Sequence, residues 1–199
     1  MKTNIILSGV GGQGILTIAA VLDTAALNQD LFIKQSEVHG MSQRGGAVQS
    51  HVRISDKEIH SDLIPEGKVD LILSVEPMEL LRYLPYLKKD GWLVTDSEPF
   101  INTANYPEET HLFDQIKKHP NHLIVNATKI AKKIGNSKVA NMVLLGAASS
   151  IIPLSENSML EAIKKLFQHK GERIIRLNIE AFSEGKKVAE GITNLVADQ

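Results

Sequence analysis

The sequence predicts an α/β fold in which short buried strands alternate with helices and a helical segment closes the chain. Three observations predict it. Residues 5–7 form an apolar run suited to a strand buried on both faces, and glycines at 9, 11, 12 and 14 follow it directly. From Ile15 the apolar residues Ile15, Ile18, Ala19, Leu22 and Ala26 recur at helical spacing. Further apolar runs at 69–75, 92–96 and 123–126 are separated by turn and helix signals.

Strand, glycine turn and helix in that order open a Rossmann-like unit. The expected architecture is therefore a Rossmann-like three-layer sandwich with a mostly parallel sheet and a helical C-terminal part. Gly9, Gly11 and Gly14 carry the spacing of a dinucleotide fingerprint, and free N–H groups at a helix N-terminus suit a phosphate. The same glycines would equally let strand and helix pack closely, so both readings stand. Gly12 and Gln13 place a fourth glycine and a long amide inside the turn. Glu37 falls about 20 residues further on, where a ribose-binding acid is expected, although it leads into a second glycine loop.

Beyond the first helix, residues 31–34 read as the second strand and 37–46 as a polar, glycine-punctuated loop. Residues 47–54 alternate, with Val48, Ser50, Val52 and Ile54 on one face and Gln49, His51 and Arg53 on the other, which predicts a half-exposed strand. Residues 55–58 form a turn, 59–61 a short antiparallel return strand, and Pro65 and Gly67 the next loop. After the strand at 69–75, Glu76 and Pro77 start a helix that carries Met78, Leu81, Leu84 and Leu87 and ends near Gly91. A strand at 92–96, an irregular stretch to Pro107, a helix over 108–118 and a strand at 123–126 follow.

The remainder is predicted helical: 129–134, stopped by Gly135; 139–152, stopped by Pro153; a helix capped by Ser155 or by Ser158 with Glu161; and 173–191. Residues 139–152 are apolar or small on every face, and such a helix has to be covered all round, by the core or by a partner.

The 199 residues suit one domain, residues 1–199, able to bury roughly 70% of its unfolded surface. Lys+Arg of 22 against Asp+Glu of 23 leaves no bulk charge to attract nucleic acid or a membrane surface. No apolar run approaches the roughly 20 residues of a membrane span, and the first strand begins too early for a signal peptide, so a cytoplasmic location is expected. Cysteine is absent, which excludes disulfides, thiolate nucleophiles and Cys-ligated clusters in this chain. The seven histidines are scattered, with no metal-ligand spacing, and His119 and His122 flank Pro120 in an expected loop. No metal site and no catalytic residue is assigned.

The sharpest chemical feature is Arg44, between Gln43 and Gly45-Gly46. A guanidinium on a glycine-flanked loop offers a planar fork to phosphate or carboxylate, and Ser42, Gln43 and the Gly45 and Gly46 amides add donors. A structural ion pair for Arg44 and a loop hydrogen bond for His39 are the competing readings.

Gly9 to Gly14, Glu37 to Gly46, Glu76-Pro77-Met78-Glu79, Asn141 to Gly146 and Asn178 to Phe182 together resemble the gamma-type domain of the 2-oxoacid:ferredoxin oxidoreductases. The run from His39 to Gly46 is most similar to the branch that acts on indolepyruvate; pyruvate, 2-oxoglutarate and branched-chain branches are the alternatives. The resemblance implies oxidative decarboxylation of an aryl 2-oxoacid to its acyl-coenzyme A, with electrons passed to ferredoxin. It implies that thiamine diphosphate, Mg2+ and iron–sulfur clusters belong to a large alpha subunit, that this chain binds no cofactor alone, and that it is inactive alone. It implies an obligate heteromer, α2β2 in arrangement, in which Gly9, Gly11, Gly12, Gln13, Gly14, Ser42, Gln43, Arg44, Gly45 and Gly46 form the cofactor-binding set and contact coenzyme A. The apolar segment 139–152 is then expected at the interface, rimmed by 98–107 and the polar face of 47–54. A stand-alone NAD(P)-dependent reductase is the competing enzyme reading, with Tyr83/Lys88 or Tyr86/Lys89 as its only proton donors, and an interaction scaffold is the third.

Overall fold

The computed structural model describes residues 1–39, 45–103 and 105–197. The chain runs β1 (Lys2–Val10), α1 (Ile15–Leu27), β2 (Phe32–His39), β3 (Ala47–Ser55), β4 (Val69–Ser74), α2 (Pro77–Leu81), β5 (Leu87–Asp96), α3 (Glu109–Lys117) and β6 (His122–Val125). It ends with α4 (Ala127–Ile134), α5 (Ala140–Ala148), α6 (Glu156–Phe167) and α7 (Glu172–Ala197). The six strands form one sheet in the order β2-β3-β1-β4-β5-β6. β1, β4, β5 and β6 are parallel, while β3 is antiparallel to both of its neighbours.

Alternate residues of the central strands feed two cores, as the period of two requires. Ile5, Leu7, Leu71, Leu73 and Val94 pack toward α1 and α4 to α7. Ile6, Ile72 and Leu93 pack with Leu80 of α2, Ile116 of α3 and Ile64 of the loop at 56–68. This is the expected three-layer arrangement. Among the described residues no helix is long and apolar enough to cross a membrane.

Several expectations are corrected. Residues 59–61 form no strand; the loop at 56–68 instead folds over the polar face of β3. Arg53 donates from Nη1 to the carbonyls of Ser61 at 2.7 Å and Leu63 at 2.9 Å, and His51 Nδ1 accepts from the Ile64 amide at 3.0 Å. β3 is therefore buried on both faces over Ser50 to Ser55, and its polar face is no interface rim. β2 runs to His39, well past residue 34, because it pairs with β3 over eight residues.

The helix expected over 76–91 stops at Leu81. Pro85 has no N–H and its ring would strike the Leu81 carbonyl in a continuing helix. A short 3-10 turn at Leu84–Tyr86 follows, and β5 starts at Leu87. Ser155 is the N-cap of α6, its hydroxyl accepting from the Ser158 amide at 3.2 Å.

The apolar segment 139–152 is also shorter as a helix, and all nine residues of α5 are buried by this chain itself. Two glycines explain the cover. A Cβ at Gly146 would lie 1.9 Å from the Phe182 carbonyl oxygen, and one at Gly185 would lie 1.9 Å from that of Val143. The backbones of α5 and α7 thus touch where a side chain would hold them apart, and α5 needs no partner to leave water.

Candidate functional site

The C-terminal ends of β1, β4 and β5 meet at the glycine turn, the place where open α/β sheets bind ligands. The turn is held from within. Gln13 Oε1 accepts from the Val10 amide at 2.7 Å, and the Gln13 amide donates to the Val10 carbonyl at 3.1 Å. Gly14 caps α1 in the left-handed region at φ 81°, and a Cβ there would lie 2.5 Å from Asn141 Nδ2. Asn141 itself, 5% exposed, donates to the Gly14 carbonyl at 3.0 Å. A glycine is required at 14 by conformation and by close approach together.

The structure brings the two glycine loops into contact. The Gly11 amide donates to the Gly46 carbonyl at 2.9 Å, and Asn102 Nδ2 donates to the Gly45 carbonyl at 2.8 Å. With Gly11 and Gln13 committed, the amides of Gly12 and Gly14 are the ones in the turn without a protein partner among the described residues. They open on a cleft of about 650 Å³ between the turn, the start of α5 and the junction of α6 with α7. Lys138, Lys170, Asn178, Phe100 and Phe167 line it alongside Asn141. Two cations, two free amides and two aromatic rings can hold an anionic group next to a flat one.

A strap made by residues 97–103 and 105–106 lies at this end of the sheet and is anchored at both ends. At its start, Asp96 is 1% exposed and accepts from the Ala127 and Thr128 amides at 3.0 Å each and from the Glu98 amide at 3.2 Å. Burial pushes its carboxyl up, and those hydrogen bonds oppose the shift. At the far end the Tyr106 hydroxyl donates to Glu76, a fully buried carboxyl that also caps α2 by accepting from the Glu79 amide at 2.8 Å. Burial and Glu76 together raise the Tyr106 phenol well above its ordinary range.

Of the residues expected at the site, Gly9, Gly11, Gly12, Gln13, Gly14, Gly45 and Gly46 sit together here, with Gln13 spent on the turn itself. Ser42, Gln43 and Arg44 lie outside the described residues, as does the His39 side chain. Glu37 is displaced. β3 lies between β1 and β2, and Glu37 pairs with Ser50, which pairs in turn with Leu7. Two strand spacings, roughly 10 Å, separate it from the strand that carries the fingerprint. The proton donors of the reductase reading fare no better: Lys88 is ion-paired to Asp70 at 2.8 Å, at the opposite end of β4 from the glycine turn. Lys138, Lys170 and Phe100 were not legible as site residues, because each stands on a different short segment with no local motif.

The chain matches the family model described as pyruvate ferredoxin/flavodoxin oxidoreductase over residues 4–188. It is 40% identical over 202 residues to the indolepyruvate oxidoreductase subunit IorB of Pyrococcus horikoshii, covering 96% of this chain and 98% of that one. Among solved structures it is similar to the keto/oxoacid ferredoxin oxidoreductase gamma subunit of Geobacter sulfurreducens, with 27% identity, a TM-score of 0.68 and coverage of 95% and 99%. The 2-oxoglutarate:ferredoxin oxidoreductase of Magnetococcus marinus shares the fold at TM-score 0.78 and 23% identity, over 96% of this chain and 31% of that one.

Proposed function

Because the chain belongs to the pyruvate ferredoxin/flavodoxin oxidoreductase family, we propose that it is the small subunit of an enzyme that oxidatively decarboxylates indolepyruvate and passes the electrons to ferredoxin. The observation that carries this is the correspondence with an indolepyruvate oxidoreductase subunit over 96% of this chain and 98% of that one. The whole chain, residues 1–199, acts on this reading as one gamma-type domain of an α2β2 complex in the cytoplasm.

Thiamine diphosphate, with its magnesium ion, and the iron–sulfur clusters belong to the large subunit on this reading. They supply the decarboxylation and the electron transfer. The donor set here supports that division, since the sequence has no cysteine to bind a cluster. What this chain contributes is a mouth for coenzyme A. The Gly12 and Gly14 amides and the α1 N-terminus suit a phosphate, with Lys138 and Lys170 lining the same cleft and Gly46 hydrogen-bonded to the turn; Ser42, Gln43, Arg44, Gly45 and Gly46 complete the coenzyme A-binding set on this reading.

The test is co-expression with a large subunit of an indolepyruvate oxidoreductase from the same organism, followed by size-exclusion chromatography and indolepyruvate-dependent dye reduction. The small chain alone is expected to be inactive and colourless, and the complex active with coenzyme A. Full coenzyme A-dependent activity of the large subunit alone, with no complex formed, would overturn the reading.

A further inference from the structure

We propose that β2 is a dimerisation edge, on which a second copy of this chain pairs antiparallel so that two six-stranded sheets become one. β2 is the terminal strand of the sheet, eight residues long, without proline and with an unbroken register against β3. Natural sheets protect such edges with short strands, prolines, bulges or clustered charge. This one carries none of the first three, and of its eight residues Lys34 is the single cation. Instead it exposes two large apolar side chains, Phe32 at 49% and Val38 at 51%. Both have even numbers and so lie on one face, opposite Ile33, which packs on the α1 core.

The spacing of those two residues selects the occupant. A two-fold axis perpendicular to the sheet keeps the two faces distinct, so only residues of the same parity can oppose each other. Centring the axis on Gln35 sets Phe32 against Val38 of the second copy, and Val38 against its Phe32. Lys34 then faces Ser36, and Ile33 faces Glu37. Neighbouring registers fail. Centring on Lys34 opposes the two lysines; centring on Ser36 sets Val38 against Lys34 and leaves Phe32 uncovered. The strand is self-complementary in one register, which is what an isologous contact needs. Leu63, 56% exposed, borders the same face, because its carbonyl is held by Arg53, the residue paired with Lys34.

The chain contains no cysteine, so a single introduced thiol reports without background. Full-length Gln35→Cys is expected to form a covalent dimer on mild oxidation, since residue 35 faces its own copy at about 4.5–5.5 Å between Cβ atoms. Mixed Phe32→Cys and Val38→Cys chains are expected to link to each other, while neither cross-links by itself and Lys117→Cys on α3 forms no covalent dimer. In sedimentation the unmodified chain is expected at twice its monomer mass. The double variant Phe32→Lys/Val38→Lys should fall back to the monomer mass with its circular dichroism unchanged. A monomer at tens of micromolar, or Gln35→Cys linking no faster than Lys117→Cys, overturns the proposal, and so does linkage in a different register.

Discussion

Asn141 and Gly14 are 127 residues apart, yet the Asn141 amide donates to the Gly14 carbonyl oxygen at 3.0 Å and occupies the space a Gly14 Cβ would need. This one contact ties the first turn of the chain to its C-terminal helices and shapes the cleft between them.

Two substitutions test it. Asn141→Ala should cost about 1 kcal/mol from the lost hydrogen bond. Gly14→Ala should cost more, through the left-handed φ of 81° and the collision with Asn141. The double variant should be less destabilised than the sum, because truncating Asn141 removes the collision. Urea unfolding of the three variants gives the coupling energy.

Gly146→Ala probes the touching backbones of α5 and α7. Its methyl would meet a carbonyl oxygen, which does not turn aside as a side chain does, so a loss of about 3 kcal/mol or more is expected. Gly191→Ala, on the partner helix α7 with nothing within 4 Å of the added carbon, should be neutral or stabilising. Thermal melts of the two distinguish close approach from helix propensity.

Asp23 on α1 sets a pH dependence. Burial first, and the charge of Glu37 second, raise its carboxyl from 3.8 to about 6, and its Oδ1 has no hydrogen-bond partner among the described residues. The folded state therefore binds a proton more tightly than the unfolded chain. This group's share of stability is complete below about pH 4, falls as pH rises to about 6, and is gone above that. Asp23→Asn should melt higher than the parent at pH 7 and lose the part of the pH 4–6 slope that Asp23 contributes. An unchanged slope would count against the burial.

Tyr106→Phe should release the far end of the strap. Glu76 is fully buried, and without the phenol it keeps the Glu79 amide as its hydrogen-bond donor. A cost of about 1–3 kcal/mol follows from leaving such a group under-satisfied. Hydrogen exchange should quicken at the Tyr106 amide, which donates to Thr103, while the sheet amides of β4 stay protected.

Arg44→Ala, in the assembled enzyme, should raise the coenzyme A requirement about tenfold, the equivalent of losing roughly 1.5 kcal/mol from a charge-assisted contact. Arg44→Lys should not restore it fully, since lysine keeps the charge and loses the planar fork. Wild-type coenzyme A dependence in both variants would make Arg44 structural.

The strands at β1, β4, β5 and β6, the glycine turn and α1 were legible because each is a local pattern: an apolar run, a glycine cluster, a helical period. The class of protein was legible for a related reason, since the motifs occur in a fixed order along nearly the whole chain. Ser155 as a cap and Gly135 as a stop followed from the chemistry of single residues.

What the sequence could not decide depends on neighbours distant along the chain. The alternation in β3 reads as a half-exposed strand until its own following loop folds back and gives His51 and Arg53 backbone partners. The apolar α5 reads as an interface until Gly146 and Gly185, on separate helices, let α7 lie against it. Glu37 stands at a nucleotide-binding distance in sequence but not in space, because β3 is inserted between β1 and β2. Burial and strand order are properties of the packed whole: water is excluded by whichever segment arrives, and a side-chain pattern records only that something must.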